Sequence, residues 1–473
     1  MSKWPAITDI AASVQTGKVL AVDLVEQSLR AIVEKEEFGA VIATVADRAR
    51  ERAKEIDARV AAGETVGRLA GVPFIAKDNM LTYGTETTAA SNILRGFEAP
   101  YQSTAVEKLE AEGAIVVAKA NLDAFAHGSS TENSDFVTTK NPHDSTRVPG
   151  GSSGGSAAAV VLDLAPFALG TDTGGSIRLP AAFCGAVGLK PTYGLVSRSG
   201  VVAMASSTDV IGPIAKTVDD AALVLDVMSG RDELDGTTIE RDDVSYVPVG
   251  GSLTGQRIGV IKEYMQEGLD PAVKQAIEAA IKKMRQAGAE VQEVSLPSLP
   301  LALACYYIIM PAEVSSNLSR YDGQRFGYAA PEARTLDESF SLSRSQGFGS
   351  EAKRRIMIGA YVLSSGYYDA YYNKAQQLRT KLIQEFDQAF EKVDFLVGPT
   401  APNIAFELGA NVTDPLQMYL TDIMTVAANL VGVPAVSVPA GKVKNMPVGL
   451  QIIAPQRHDR ALLTIAKLTE EKL

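Results

Sequence analysis

Twice along this chain a run with helical spacing ends on a glycine and continues as a short strand-like stretch. Thr104-Ala-Val-Glu107 has the form of a capping box and opens a short helix that stops at Gly113, before Ala114-Ile-Val-Val-Ala118. Asp270 caps a second helix with Pro271 at its first position; Val273, Ile277, Ile281 and Met284 mark one face, Gly288 ends it, and 290–294 resumes as a strand. A long helix over about 367–390 is followed by strand-like runs at 395–397, 433–438 and 448–453. Strands separated by helices bury both only in layers, so the expected fold is α/β: a large mixed β-sheet core covered by helices on both faces.

Around that rhythm, the first 65 residues read as helical, from the amphipathic patterns of 22–33 and 45–62. The apolar run Val72-Pro-Phe-Ile-Ala76 ends at Lys77. The expected loops are 231–255, acidic and glycine-bearing, and 324–350, polar and irregular. A length of 473 residues would permit about three domains. With no repeat and no long linker, one domain over 1–473 is expected, its core about 71–215.

The 45 basic and 56 acidic residues leave a formal charge of −11, which argues against a direct grip on nucleic acid by this chain. Cys184 and Cys305 fit no metal spacing and suit a reducing cytoplasm. His127, His143 and His458 form no metal-binding pair, so no metal site is expected. The start MSKWPAITDI lacks an apolar leader core, and no stretch is expected to cross a membrane.

The stretch richest in chemistry is Pro149-Gly-Gly-Ser-Ser-Gly-Gly-Ser156, with a second element, Gly170-Thr-Asp-Thr-Gly-Gly-Ser176-Ile-Arg178. A flexible linker has this composition, but both elements abut strongly apolar sequence. A phosphate cradle would also use glycines, yet neither stretch matches a Walker or dinucleotide motif. An acyl-transfer site fits better: a nucleophilic serine needs backbone donors for the developing oxyanion, and glycines allow close approach. With histidine scarce, the base would be a lysine kept neutral by burial, and Lys77 is the candidate. Taken alone, a lysine ending a strand also reads as solvated.

Lys77, Gly150-Gly-Ser-Ser-Gly-Gly-Ser156 and Asp172-Thr-Gly-Gly-Ser176 together resemble the amidase signature family of Ser-cisSer-Lys hydrolases. The three residues stand in family order, with 75 residues from Lys77 to Ser152 and 24 from Ser152 to Ser176. The likeness continues through Phe183-Cys-Gly185, Val187-Gly-Leu-Lys-Pro-Thr-Tyr-Gly194 and Ile211-Gly-Pro213. Gly128-Ser-Ser-Thr-Glu-Asn133, Lys353-Arg-Arg-Ile-Met357, Gly366-Tyr-Tyr-Asp-Ala-Tyr-Tyr372 and Thr421-Asp422 are similar to the branch that serves tRNA-dependent amidotransferases.

The resemblance implies Ser176 as nucleophile, Ser152 behind a cis peptide bond as proton shuttle, Lys77 as base, and the N–H groups of Thr173, Gly174, Gly175 and Ser176 as oxyanion hole. It implies glutamine as substrate, its α-carboxylate on Arg355 (or Arg354), its ammonium on Asp422, with Ser129 and Tyr306 lining the pocket. Taken alone, the arginine pair reads as a solvated helix face and Asp422 as a helix cap. It implies a cytoplasmic glutaminase component supplying ammonia to convert Glu-tRNA(Gln) to Gln-tRNA(Gln). A kinase-like, tRNA-binding B-type partner would use ATP and Mg²⁺, and a small C-type partner would wrap this chain. Three departures bear on the pocket: Asp123-Ala-Phe125 replaces an acidic-acidic-Phe pattern, His127 stands where many relatives have Met, and Leu179 replaces a commoner Gln.

The rival readings are a stand-alone amidase acting on another small amide, and a silent scaffold. The first would share Lys77, Ser152 and Ser176 but would not need Arg355 and Asp422 together. The second would have no use for the oxyanion glycines.

Overall fold

Two phenylalanines mark the centre of the molecule: Phe74 and Phe167 face each other across adjacent parallel strands, their rings stacked at 5.2 Å and buried. The computed structural model describes residues 4–242, 244–266, 268–412 and 414–473. Eleven strands among these form one sheet: β1 (Val41–Thr44), β2 (Pro73–Lys77), β3 (Ile115–Ala120), β4 (Phe167–Asp172), β5 (Val187–Lys190), β6 (Val210–Ala215), β7 (Arg257–Ile261), β8 (Glu290–Val294), β9 (Phe395–Pro399), β10 (Ala435–Val443) and β11 (Met446–Ile453). Their order is β1-β3-β2-β4-β6-β5-β10-β11-β9-β7-β8.

The sheet is mixed, as expected. Strand β2 runs parallel to β3 and β4, and β7 runs parallel to β8 and β9. The strands between these two parallel groups pair antiparallel. Every residue of β2, β3, β4, β6, β9 and β11 is buried, the pattern of strands covered on both faces. Covering helices include Gly154–Val161 against β2 and β4, Val218–Met228 against β5 and β6, and Pro271–Gln286 against β9, β10 and β11. In the last of these the Asp270 carboxylate accepts from the N–H groups of Ala272 and Val273, and Val273, Ile277, Ile281 and Met284 are buried as the pattern predicts.

Several local expectations are corrected. The N-terminal segment is not all helix: between helices Ala21–Glu34 and Ala46–Ala61 the chain forms β1, an edge strand antiparallel to β3. Four residues are too few to show a period of two, and only the neighbouring strand makes them extended. Helix Thr104–Ala111 exists, but Ser103 occupies its cap position, without a side-chain cap bond, and the Thr104 hydroxyl donates to Asp232 at 2.7 Å. A tertiary acceptor outcompetes the local cap. The loop expected at 324–350 holds helix Leu336–Gly347, opened by a capping box between Thr335 and Glu338. Residues 368–373 of the long helix are π-helical before Lys374–Phe390. One helical stretch, Leu299–Arg320, is long and apolar enough to cross a membrane by length and composition. More than half of it is buried here, with Tyr306, Ile309, Met310 and Val314 in the core.

Candidate active site

Parallel pairing of β2 with β4 brings the ends of both strands to the same edge of the sheet, where crevices of open α/β sheets take ligands. Lys77 is the last residue of β2 and Asp172 the last of β4, and the chain then turns through Thr173-Gly-Gly-Ser176 into helix Arg178–Cys184. The loop carrying Ser152 lies against the same edge because helix Gly154–Val161, which it opens, packs on both strands. The Gly151–Ser152 peptide bond is cis, as the resemblance implies.

Lys77 is fully buried, and Nζ donates to the hydroxyl oxygens of Ser152 at 2.7 Å, Ser153 at 2.9 Å and Thr171 at 2.9 Å. No carboxylate among the described residues touches it. Burial therefore pulls the amine down to about 7, only partly opposed by the charges of Asp123, Asp172 and Asp209. A lysine in this state can accept a proton near neutrality.

Ser176 is 8% exposed, and its hydroxyl has no hydrogen-bond partner among the described residues. Its carbonyl accepts from the Ser153 N–H at 3.0 Å, which ties the two Gly-Ser elements together. The backbone around it departs from expectation at one point. The Gly175 N–H donates to Asp172 Oδ1 at 2.9 Å, so it is engaged in the loop rather than free for an oxyanion. Asp172 is the strongest local acceptor, and the sharp turn after β4 aims that N–H back at it. The N–H groups of Thr173, Gly174 and Ser176 have no partner among the described residues. Glycine is obligatory here on steric grounds: a Cβ at Gly174 would lie 2.6 Å from the Tyr306 ring, and one at Gly175 (φ +137°) 2.1 Å from Thr425 Oγ1.

Sequence reading missed the network that holds this turn. The Asp172 carboxylate accepts from the N–H of Gly175 and Ile177 and forms a two-pronged ion pair with Arg178, at 3.1 Å and 2.9 Å. Arg178 also donates to Gln451 Oε1, Asn429 Oδ1 and the Thr425 carbonyl, and Asn429 returns a bond to Asp172 at 2.9 Å. Both members of the pair are wholly buried, and despite that burial the guanidinium holds the carboxylate down to about 2. The signal available in sequence was Arg178 two residues after Ser176; its partners lie about 250 residues away and carry no local mark.

Beside the serines, the Ser129 hydroxyl donates to Asp422 Oδ2 at 2.6 Å. Asp422 is buried and its carboxyl is pushed up to about 7, chiefly by desolvation. It is not a helix cap. Of the two arginines, Arg355 is buried, and Arg354 lies at the surface, paired with Glu351. Arg355 Nε donates to Glu351 at 2.8 Å, its guanidinium lies over the rings of Tyr307 and Tyr419, and its charge acts on Asp422. Arg355 lines a cavity of about 170 Å³ together with Asp123, His127, Gly128, Glu351 and Tyr419. Tyr306 bridges the two halves of the site, with its ring against Gly174 and its hydroxyl pushed up chiefly by burial and lowered by the charge of Arg355. Leu179 packs instead with Val148, Phe183 and Met446 in a separate small core, away from that cavity. Among the described residues no cluster of three or more His, Cys, Asp or Glu is placed to hold a metal ion.

Comparison with known proteins agrees with this geometry. The Amidase family model matches residues 23–463. The A-type subunit of glutamyl-tRNA(Gln) amidotransferase from Symbiobacterium thermophilum is 53% identical over 454 residues, covering 95% of this chain and 93% of its own length. The protein of the same name from Koribacter versatilis is 50% identical, covering 98% and 97%. Among solved structures, the A-type subunit of glutamyl-tRNA(Gln) amidotransferase from Thermotoga maritima superposes with a TM-score of 0.78 at 42% identity, covering 95% of this chain and 91% of that one. A peptide amidase from Stenotrophomonas maltophilia gives 0.83 at 30% identity, covering 99% and 97%. A buried lysine on two serines, one behind a cis peptide, is thus found in a chain whose whole length follows one family: it belongs to the amidase signature family.

Proposed function

We propose that this chain is the glutaminase component of a tRNA-dependent amidotransferase. Ser176 Oγ attacks the side-chain carboxamide carbon of glutamine while its proton passes through Ser152 to Lys77. The C–N bond then breaks, the leaving nitrogen takes a proton from Lys77 and departs as ammonia, and water hydrolyses the γ-glutamyl ester to glutamate. The N–H groups of Thr173, Gly174 and Ser176 stabilise the oxyanion.

One observation carries the choice of substrate. A buried cation, Arg355, and a buried acid, Asp422, stand on the same side of the serines, matching the two charges of a free amino acid. An amidase acting on an uncharged amide would bury both for nothing, at a large desolvation cost. Tyr306 and Ser129 complete the pocket, Ser129 by orienting Asp422.

The names of the relatives, each one component of a larger enzyme, support partners: a kinase-like, tRNA-binding protein that uses ATP and Mg²⁺, and a small third component, working in the cytoplasm. The charge of −11 fits a chain that meets tRNA only through such a complex. Co-purification from the source cell tests that assembly. Absence of any tRNA-binding partner, with robust turnover of other amides, would favour the stand-alone amidase.

Mass spectrometry after incubation with glutamine is expected to find a γ-glutamyl adduct on Ser176, absent in Ser176→Ala. Arg355→Ala and Asp422→Ala are each expected to raise KM for glutamine about 10- to 100-fold, with a smaller change in kcat, as for loss of a charge-assisted hydrogen bond. Unchanged glutamine kinetics in both variants would sink the substrate assignment.

A further inference from the structure

His127 is the one wholly buried histidine among the described residues, and neither of its ring nitrogens has a hydrogen-bond partner there. Buried imidazoles are ordinarily satisfied, so a ring orphaned at both ends calls for a partner outside the chain. Its position suggests which. The ring lines the cavity shared with Arg355, Glu351 and Tyr419. The loop that carries it is rigid: the Asp123 carboxylate accepts from the N–H groups of Thr131 and Asn133, the His127 carbonyl accepts from Asn133 Nδ2, and a Cβ on Gly128 would strike the Asp123 carboxylate at 2.4 Å. Two residues further along, Ser129 orients Asp422. One short loop thus serves both charged ends of the pocket.

The chemistry of the partner follows from the neighbouring charge. Arg355 is the charged group acting on the ring, and with burial it keeps the imidazole neutral, with one N–H to donate. A group that accepts from Arg355 and from a neutral N–H at once is an anion. The Asp123 carboxylate, which also lines the cavity, is already taken by backbone donors.

We propose that His127 is a specificity-determining residue that donates a hydrogen bond to the carboxylate of an amino-acid substrate, alongside Arg355. This rests on the glutaminase reading above. The test compares glutamine with 4-aminobutanamide, which is glutamine without its α-carboxylate, in the enzyme purified with its co-purifying partners. In His127→Met, a side chain of similar length without a donor, the preference in kcat/KM for glutamine over 4-aminobutanamide is expected to fall about tenfold. The loss should lie in the KM for glutamine. His127→Gln, which keeps an N–H, is expected to retain most of the preference. A ring that merely fills space would lower both substrates equally, and an undiminished or equally reduced ratio in His127→Met overturns the inference while the glutaminase reading stands. A wild-type enzyme that does not turn over glutamine overturns that reading and this inference with it.

Discussion

Replacing Lys77 by methionine is expected to lower kcat for glutamine about 10³- to 10⁴-fold, the scale of a lost general acid–base. The geometry makes the experiment clean. Nζ is buried and touches only three hydroxyls, so methionine removes the proton acceptor without leaving a buried charge unpaired. In the wild type the base works in its neutral form. Because burial lowers it to about 7, kcat/KM should rise with pH up to about 7 and level off above. Asp422 also titrates near 7, so glutamine binding should weaken as its carboxylate is protonated below that pH. Asp422→Asn removes that contribution and leaves the rise due to Lys77. The same shift has a thermodynamic side. A lysine whose folded value is depressed favours folding in its neutral form, so stability falls as pH drops from the ordinary lysine range to about 7. Lys77→Met should therefore melt at the same or a higher temperature at pH 7, a stability gained where function is lost. A Met variant within threefold of wild type in kcat would dismiss Lys77 as the base.

Arg178→Met is expected to cost about 3–5 kcal/mol of folding stability, measured by urea unfolding at pH 7, because it strands the buried Asp172 carboxylate. Stability should also acquire a new pH dependence. In the wild type the Asp172 carboxyl is held down to about 2, so its contribution is complete above the ordinary carboxylate range and is lost as pH falls through about 2. Without Arg178 the acid rises, and the loss begins nearer neutrality. Since the same carboxylate receives the Gly175 and Ile177 N–H groups on either side of Ser176, kcat should fall about 10²-fold in protein that remains folded. Asp172→Asn, which keeps an acceptor oxygen but no charge, should be milder in stability than Arg178→Met. A variant of Arg178 as stable and active as wild type would mean that the turn is held by its glycines and the helix behind it.

How much of this is legible in the sequence depends on how local the cause is. The helix after Asp270 has its cap, its proline and its apolar face within sixteen residues, and it forms as the pattern says. Strand β8 is found at the residues expected for the same reason. Strand β1 reads as helix because its conformation comes from β3, about 75 residues on. Thr104 reads as a cap because nothing nearby reveals that its hydroxyl finds Asp232, 128 residues away. The Gly175 N–H is misassigned because no pattern shows which way a glycine-rich turn points its donors.

Sequence alone was enough to name Lys77, Ser152 and Ser176 as a set, since their identities and order survive whatever the side chains touch. Only the tertiary structure decided how they can work. The amine of Lys77 is lowered by a burial that β3 and β4 impose, the turn after β4 is held by Asn429 and Gln451 from the far end of the chain, and burial singles out Arg355 from its neighbour Arg354. Proton affinity and hydrogen-bond direction depend on the surrounding medium and on partners, and partners distant in sequence meet only when the sheet assembles.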